Sequence, residues 1–213
     1  KQDKKLQPIL FFGKSGEDLF IVDSIANYYV INKNTGVLKW KKKHSSSFNS
    51  QIKIFEKKAL VIDMENQLRC FSLETGELIW TVKTQQSLLR SQKKQSLILN
   101  GDKIFFSNSI GDVTAVNISD GKIIWQTPTQ SNISFGNTYF LKLSDIVSDK
   151  DSIFVSNNNS QFYSIDILSG IVNWRQDFSS ELRPAIIGDY LITISDNGLL
   201  VVMDKDSGQI IRI

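Results

Sequence analysis

Residues 115–125 read Ala115-Val116-Asn117-Ile118-Ser119-Asp120-Gly121-Lys122-Ile123-Ile124-Trp125. The stretch is the end of one strand, a tight turn and the start of the next. Val116 and Ile118 alternate with polar neighbours, the period-2 pattern of a half-buried strand. Asp120-Gly121 is a turn dipeptide, because glycine takes a positive φ without steric cost. Trp125 stands four residues past the glycine. Its indole is too large for one small hairpin to cover, which predicts a neighbouring sheet for it to dock on.

The pattern occurs five times. Gly36, Gly76, Gly121, Gly170 and Gly208 occupy the turn, preceded by Thr35, Thr75, Asp120, Ser169 and Ser207. Trp40, Trp80, Trp125 and Trp174 each follow their glycine by four residues, which uses every tryptophan in the chain. Arg212 takes that place in the fifth copy. Six residues before each glycine is Val30, Cys70, Ala115, Ser164 or Val202, small enough for close packing. Four before it is Asn32, Ser72, Asn117, Asp166 or Asp204, a side chain able to bond the turn backbone. An apolar strand opens seventeen before it, at Leu19, Ala59, Ile104, Ile153 or Leu191.

The mean period is about 43 residues, the size of one four-stranded propeller blade. One blade cannot bury both its faces, so the units must stack. The reading is therefore an all-β chain: a β-propeller of four-stranded antiparallel blades, about five blades present. It is a single β-propeller domain or a fragment of one over 1–213, with repeats at 8–43, 51–83, 96–127, 146–178 and 184–213. The strands of each repeat are called A to D in chain order.

The net charge of +3 is too small to imply a nucleic-acid partner. The only cysteine is Cys70, so there is neither a disulfide framework nor a pair of metal thiolates. No apolar run approaches the roughly 20 residues of a membrane-spanning helix. No signal peptide is visible, and Lys1 is open to being the residue after a removed one. Gly13 to Asp18 reads as the first A–B turn. Lys41-Lys42-Lys43-His44 reads as an outer edge guarded by lysine against sheet-to-sheet pairing, with anionic lipid contact as the alternative. His44, the lone histidine, has no partner in sequence and is expected in solvent. One histidine supports neither a catalytic triad nor a histidine metal cluster.

Successive glycines are 40, 45, 49 and 38 residues apart. The two long steps add residues after Trp80 and after Trp125. Strands alternate direction, so D–A connectors and B–C turns leave one rim of the blades. A–B and C–D turns leave the other. Extra length on one rim of a repeat array marks a binding surface. Ser87-Leu88-Leu89-Arg90 places leucines beside an arginine in the first long connector. Phe140-Leu141-Lys142-Leu143-Ser144-Asp145 places apolar residues beside an acid in the second. Leucine and arginine make an interface anchor, and Asp145 could pair with Arg90. The plainer alternative is that these leucines cover blade ends and the charges are solvated.

The spacing small-x-[Asp/Asn/Ser]-x-x-x-Gly-x-x-x-Trp resembles the tryptophan-docking motif of quinoprotein-like β-propellers. Within that superfamily the chain is most similar to the BamB family of bacterial outer-membrane assembly lipoproteins. Ser87-Leu88-Leu89-Arg90 is similar to the loop through which that family contacts BamA. Leu143-Ser144-Asp145 is similar to its second contact loop. The resemblance implies partner-binding roles for Leu88, Leu89, Arg90 and Asp145. It also implies structural docking by Trp40, Trp80, Trp125 and Trp174 on the turn glycines. The family has a second acid two residues beyond the first, where this chain has Val147. The family ring has eight blades, so the five units here are expected to be part of an eight-bladed ring; the family's lipidated N-terminal cysteine is not matched by Cys70, which lies inside the second unit.

The resemblance implies a non-catalytic scaffold with no cofactor and no metal, on the periplasmic face of the outer membrane. Its partner would be the periplasmic POTRA domains of a BamA-like protein, with membrane attachment only through a lipid anchor that this chain does not show. An extracytoplasmic ligand-binding or sensor propeller is a second reading. A pyrroloquinoline quinone dehydrogenase is a third. Members of that class resemble one another in an adjacent cysteine pair, which a single cysteine cannot supply.

Overall fold

Each glycine-centred repeat folds into one antiparallel four-stranded sheet. The computed structural model describes residues 7–84, 94–108, 110–129, 143–157 and 161–213. Sheet one is β1 (Leu10–Ser15), β2 (Asp18–Asp23), β3 (Asn27–Asn32) and β4 (Leu38–Lys43). Sheet two is β5 (Lys53–Phe55), β6 (Lys58–Ile62), β7 (Gln67–Ser72) and β8 (Leu78–Lys83). Sheet three is β9 (Leu97–Asn100), β10 (Lys103–Ser107), β11 (Asp112–Asn117) and β12 (Ile123–Pro128). Sheet four is β13 (Val147–Ser148), β14 (Ser152–Asn157), β15 (Gln161–Asp166) and β16 (Val172–Gln176). Sheet five is β17 (Ala185–Ile187), β18 (Tyr190–Ile194), β19 (Leu200–Asp204) and β20 (Ile210–Arg212). In every sheet the spatial order follows the chain order. Sheets one and two lie in one compact unit, Lys1–Gln86; sheets three, four and five lie in another, Ser87–Ile213.

The turn before each fourth strand is built the same way five times. The glycine has φ between +68° and +75° at all five positions. Its N–H donates to the carbonyl four residues back, from Gly36 to Asn32 through to Gly208 to Asp204. The side chain at that residue accepts from the turn as well. Asp166 Oδ1 takes the N–H of Leu168 and both the N–H and the hydroxyl of Ser169, at 3.1, 2.7 and 2.7 Å. The Ser169 bonds, hydroxyl first, hold the Asp166 carboxyl below its ordinary pKa. A bulge follows in every copy: the register shifts between Val30 and Ile31, Cys70 and Phe71, Ala115 and Val116, Ser164 and Ile165, and Val202 and Met203. The small residue just before the shift lies directly across from Trp40, Trp80, Trp125, Trp174 or Arg212. A small side chain there leaves the indole room to lie across the sheet.

The indole reaches the turn of the next sheet. Trp40 Nε1 donates to the Leu73 carbonyl at 2.9 Å, Trp125 to Ile167 at 3.2 Å and Trp174 to Lys205 at 3.0 Å. Each ring lies flat against the next turn glycine. A Cβ on Gly76 would stand 2.8 Å from Trp40, one on Gly170 2.6 Å from Trp125, and one on Gly208 2.5 Å from Trp174. Apolar clusters fill the space around these three indoles. Phe20, Tyr28, Phe48 and Phe71 pack around Trp40, with Tyr28 and Phe71 centroids 4.7 Å apart. Phe105, Ile153 and Ile165 pack with Trp125, and Phe154, Phe162 and Leu191 with Trp174.

Two local expectations change. Gly13 is inside β1 rather than in a turn. A Cβ there would meet Ile52 Cγ2 at 2.7 Å, so this glycine is needed for close approach of sheet two and not for turning the chain. His44 is not in solvent: its side chain is 12% exposed, with the ring stacked on Phe48 at 5.4 Å and edge-on to Phe71 at 5.8 Å.

The glycines separate backbone strain from ring contact. Gly36 has φ +71° with nothing within 4 Å of a built Cβ, whereas Gly170 combines φ +75° with the Trp125 ring. Gly36→Ala should cost about 1–2 kcal/mol from the left-handed backbone alone. Gly170→Ala should cost at least twice as much, and Trp125→Ala about 3 kcal/mol. Chemical denaturation of the three variants checks this; equal losses for the two glycines would refute the ring contact as the second constraint.

Candidate partner-binding face

Among the described residues, two D–A connector positions bridge to the end of the second strand of the sheet they enter. Phe48 bridges to Asp63 and Leu143 to Asn157. The other rim is closed by one bond repeated five times: Lys33, Leu73, Ile118, Ile167 and Lys205 donate N–H to the carbonyls of Glu17, Lys57, Asp102, Asp151 and Asp189. That bond ties the C–D turn of each sheet to the A–B turn of the same sheet.

The B–C turns have a cap that the sequence reading missed. Thirteen residues before each glycine stands Asp23, Asp63, Asn108, Asn157 or Ser195. Asp23 Oδ1 accepts from the N–H of Ile25 and Asn27, Asp63 Oδ1 from Glu65 and Gln67, and Asn108 Oδ1 from Ile110 and Asp112. Ser195 Oγ accepts from Leu199 N–H at 3.2 Å. The signal was in the sequence, as a short acceptor at a fixed offset, but the offset crosses a whole strand and is easily lost.

Of the four proposed contact residues, the structure places Asp145. Leu88, Leu89 and Arg90 lie outside the described residues. Asp145 is half-buried between Ser144, 2% exposed, and Ile146, 1% exposed. Both neighbours are tied down. Ser144 N–H donates to the Ser156 carbonyl, and Ser156 N–H donates back to Ser144 Oγ, each at 2.9 Å. Ile146 N–H donates to Ser96 Oγ at 3.1 Å, and Ser156 Oγ accepts from Ser180 N–H at 2.9 Å. Buried Ser96, just before β9, and buried Ser156, in β14, thus fix the backbone that carries the carboxylate. Val147, where the family has its second acid, is 6% exposed and packs with Phe154, Phe162 and Leu191. An acid in this local fold would be inside the core.

The remaining chemistry is structural. Asp63 is fully buried, and burial pushes its carboxyl up. The His44 imidazole beside it, the hydrogen bond and charge of Arg69 and the Gln67 N–H outweigh that and hold it below its ordinary value. Arg69 Nε lies 2.7 Å from Asp63 Oδ2, and Arg69 Nη1 reaches Thr81 Oγ1 at 3.0 Å. His44 Nε2 stands 3.5 Å from the same carboxylate oxygen, which ties the end of β4 to sheet two. Burial pushes the Cys70 thiol up to about 12, so it is no nucleophile at neutral pH. Among the described residues, no group of three or more His, Cys, Asp or Glu side chains is placed to hold a metal ion.

The model of the family described as outer membrane protein assembly factor BamB matches residues 2–213. The chain belongs to the BamB family. A BamB from Alkalilimnicola ehrlichii is 24% identical over 162 residues, covering 71% of this chain and 39% of that protein. One from Shewanella oneidensis is 23% identical over 232 residues, covering 97% of this chain and 56% of that protein. The chain therefore spans about half or less of the length of these relatives. Among solved structures, BamB from Moraxella catarrhalis superposes with a TM-score of 0.81 at 16% identity, over 95% of this chain and 62% of that one. A europium-containing methanol dehydrogenase superposes with a TM-score of 0.72 at 14% identity, over 95% of this chain and 50% of that one. The fold is thus the all-β propeller type, built here from five four-stranded blades.

The Asp63 cluster makes a pH prediction. A carboxyl whose folded value is depressed stabilises the fold above its unfolded value, near 3.9, and loses that contribution as pH falls through the folded value. Asp63→Asn should cost about 3 kcal/mol at pH 7, because Arg69 keeps its largely buried site without a carboxylate. The gap between wild type and variant should close below about pH 4 in denaturation series. A gap constant from pH 7 to pH 2 would contradict the assignment.

Proposed function

We propose that this chain is a non-catalytic scaffold of outer-membrane β-barrel assembly, acting on the periplasmic side by docking its connector rim onto the POTRA domains of a BamA-like protein. The observation that carries the reading is the family match across residues 2–213. The five blades are read as part of one larger propeller domain. Leu88 and Leu89 would desolvate at the centre of the contact. Arg90 and Asp145 would fix its orientation through charged hydrogen bonds. The serine ties around Asp145 support this role, since a carboxylate on an anchored backbone loses little entropy on binding. With Val147 buried, a single acid of the second loop would carry the recognition.

The dehydrogenase reading finds less support. The likeness to a methanol dehydrogenase is one of fold. The one cysteine is buried across from Trp80.

Arg90→Glu and Leu89→Arg should each abolish co-purification with the BamA-like partner while leaving the melting curve in place. Unchanged recovery of the partner in both variants would overturn the site. Ser144→Ala should weaken binding to the partner several-fold in the presence of Asp145. It should have no further effect in an Asp145→Ala background, as surface plasmon resonance would read.

A further inference from the structure

The outer strand of sheet one carries two lysines that no acid pairs among the described residues. Lys41 and Lys43 alternate along β4 with Trp40 and Lys42. Trp40 bonds Leu73 and Lys42 pairs with Glu77, both in the turn between β7 and β8. Successive strand residues point to opposite faces, so Lys41 and Lys43 lie on the far side of β4. Both are exposed, and their cross-strand neighbours are the uncharged Tyr29 and Asn27. Neither has an acidic partner among the described residues.

The nearby acids are already engaged. Asp18 holds Lys39 at 2.5 Å, Glu17 accepts from Asn32, and Asp23 caps its own turn. Residues 7–43 contain six lysines against three acids, whereas residues 44–213 contain sixteen basic residues against eighteen acidic ones. The positive charge is therefore concentrated at sheet one.

Edge protection alone does not account for the pair. The positions equivalent to Lys41 and Lys43 are Thr81 and Lys83 on β8, Gln126 and Pro128 on β12, and Arg175 and Asp177 at the end of sheet four. Those outer strands manage with one cation or none. Two parallel, uncompensated ammonium groups on an extended edge suit a flat anionic surface, where each contributes without needing a shaped pocket. We propose that the outer edge of sheet one, through Lys41 and Lys43, rests on an anionic phospholipid surface.

The test is co-sedimentation of the whole chain with vesicles of phosphatidylglycerol and phosphatidylcholine, against vesicles of phosphatidylcholine alone. Wild type should partition onto the anionic vesicles at low salt and be released as added salt shortens the screening length. Lys41→Gln with Lys43→Gln should weaken partitioning about thirtyfold. Lys122→Gln with Lys150→Gln removes the same charge from exposed sites elsewhere and should leave it unchanged. Equal losses in the two pairs would reduce the effect to net charge and overturn the proposal. So would binding that ignores lipid charge, or no binding by wild type. Superposed melting curves of wild type and variants keep misfolding out of the comparison.

Discussion

An indole laid over a glycine peptide, with its N–H given to a carbonyl three residues before that glycine, is the joint on which the structure depends. It is seen from Trp40 to Gly76, from Trp125 to Gly170 and from Trp174 to Gly208. The joint makes two demands on one residue. The turn needs a positive φ, and the ring needs a position with no Cβ; only glycine meets both. The small residue across from the indole and the bulge beside it follow, because the ring must leave its own strand at an angle to reach the next sheet. Burial then completes the association: the aromatic clusters fill the space that the joints define.

Much of this was legible because the demands are local and repeat. A glycine, an indole four residues on and a short polar side chain four residues back are all within one turn, and each has a reason that sequence alone exposes. Gly13 was misread because a close approach of Ile52 looks the same in sequence as a turn. His44 was misread because its setting comes from Phe48, Phe71 and Asp63, four to twenty-seven residues away on another sheet. The turn caps at Asp23, Asp63 and Asn108 were missed because the reading followed the tryptophan motif and not the other rim.

The contact face divides in the same way. The uneven spacing of the glycines led to an expectation of long connectors on one rim, and most of their length, 85–93 and 130–142, lies outside the described residues. What spacing could not show was that Asp145 sits on a backbone gripped by Ser96, just before β9, and Ser156, in β14. Nor could it show that the neighbouring Val147 is a core residue. Those facts belong to packing between repeats, which no single repeat encodes.

Cys70 gives the molecule an internal clock. The only thiol in the chain lies buried across the strand from Trp80, with its proton held far above neutral pH. A water-borne alkylating reagent can reach it only when the second sheet parts from its surroundings. The rate of its capture therefore follows the share of time the sheet spends open when reclosing outpaces the reagent, in an otherwise native protein with no residue changed.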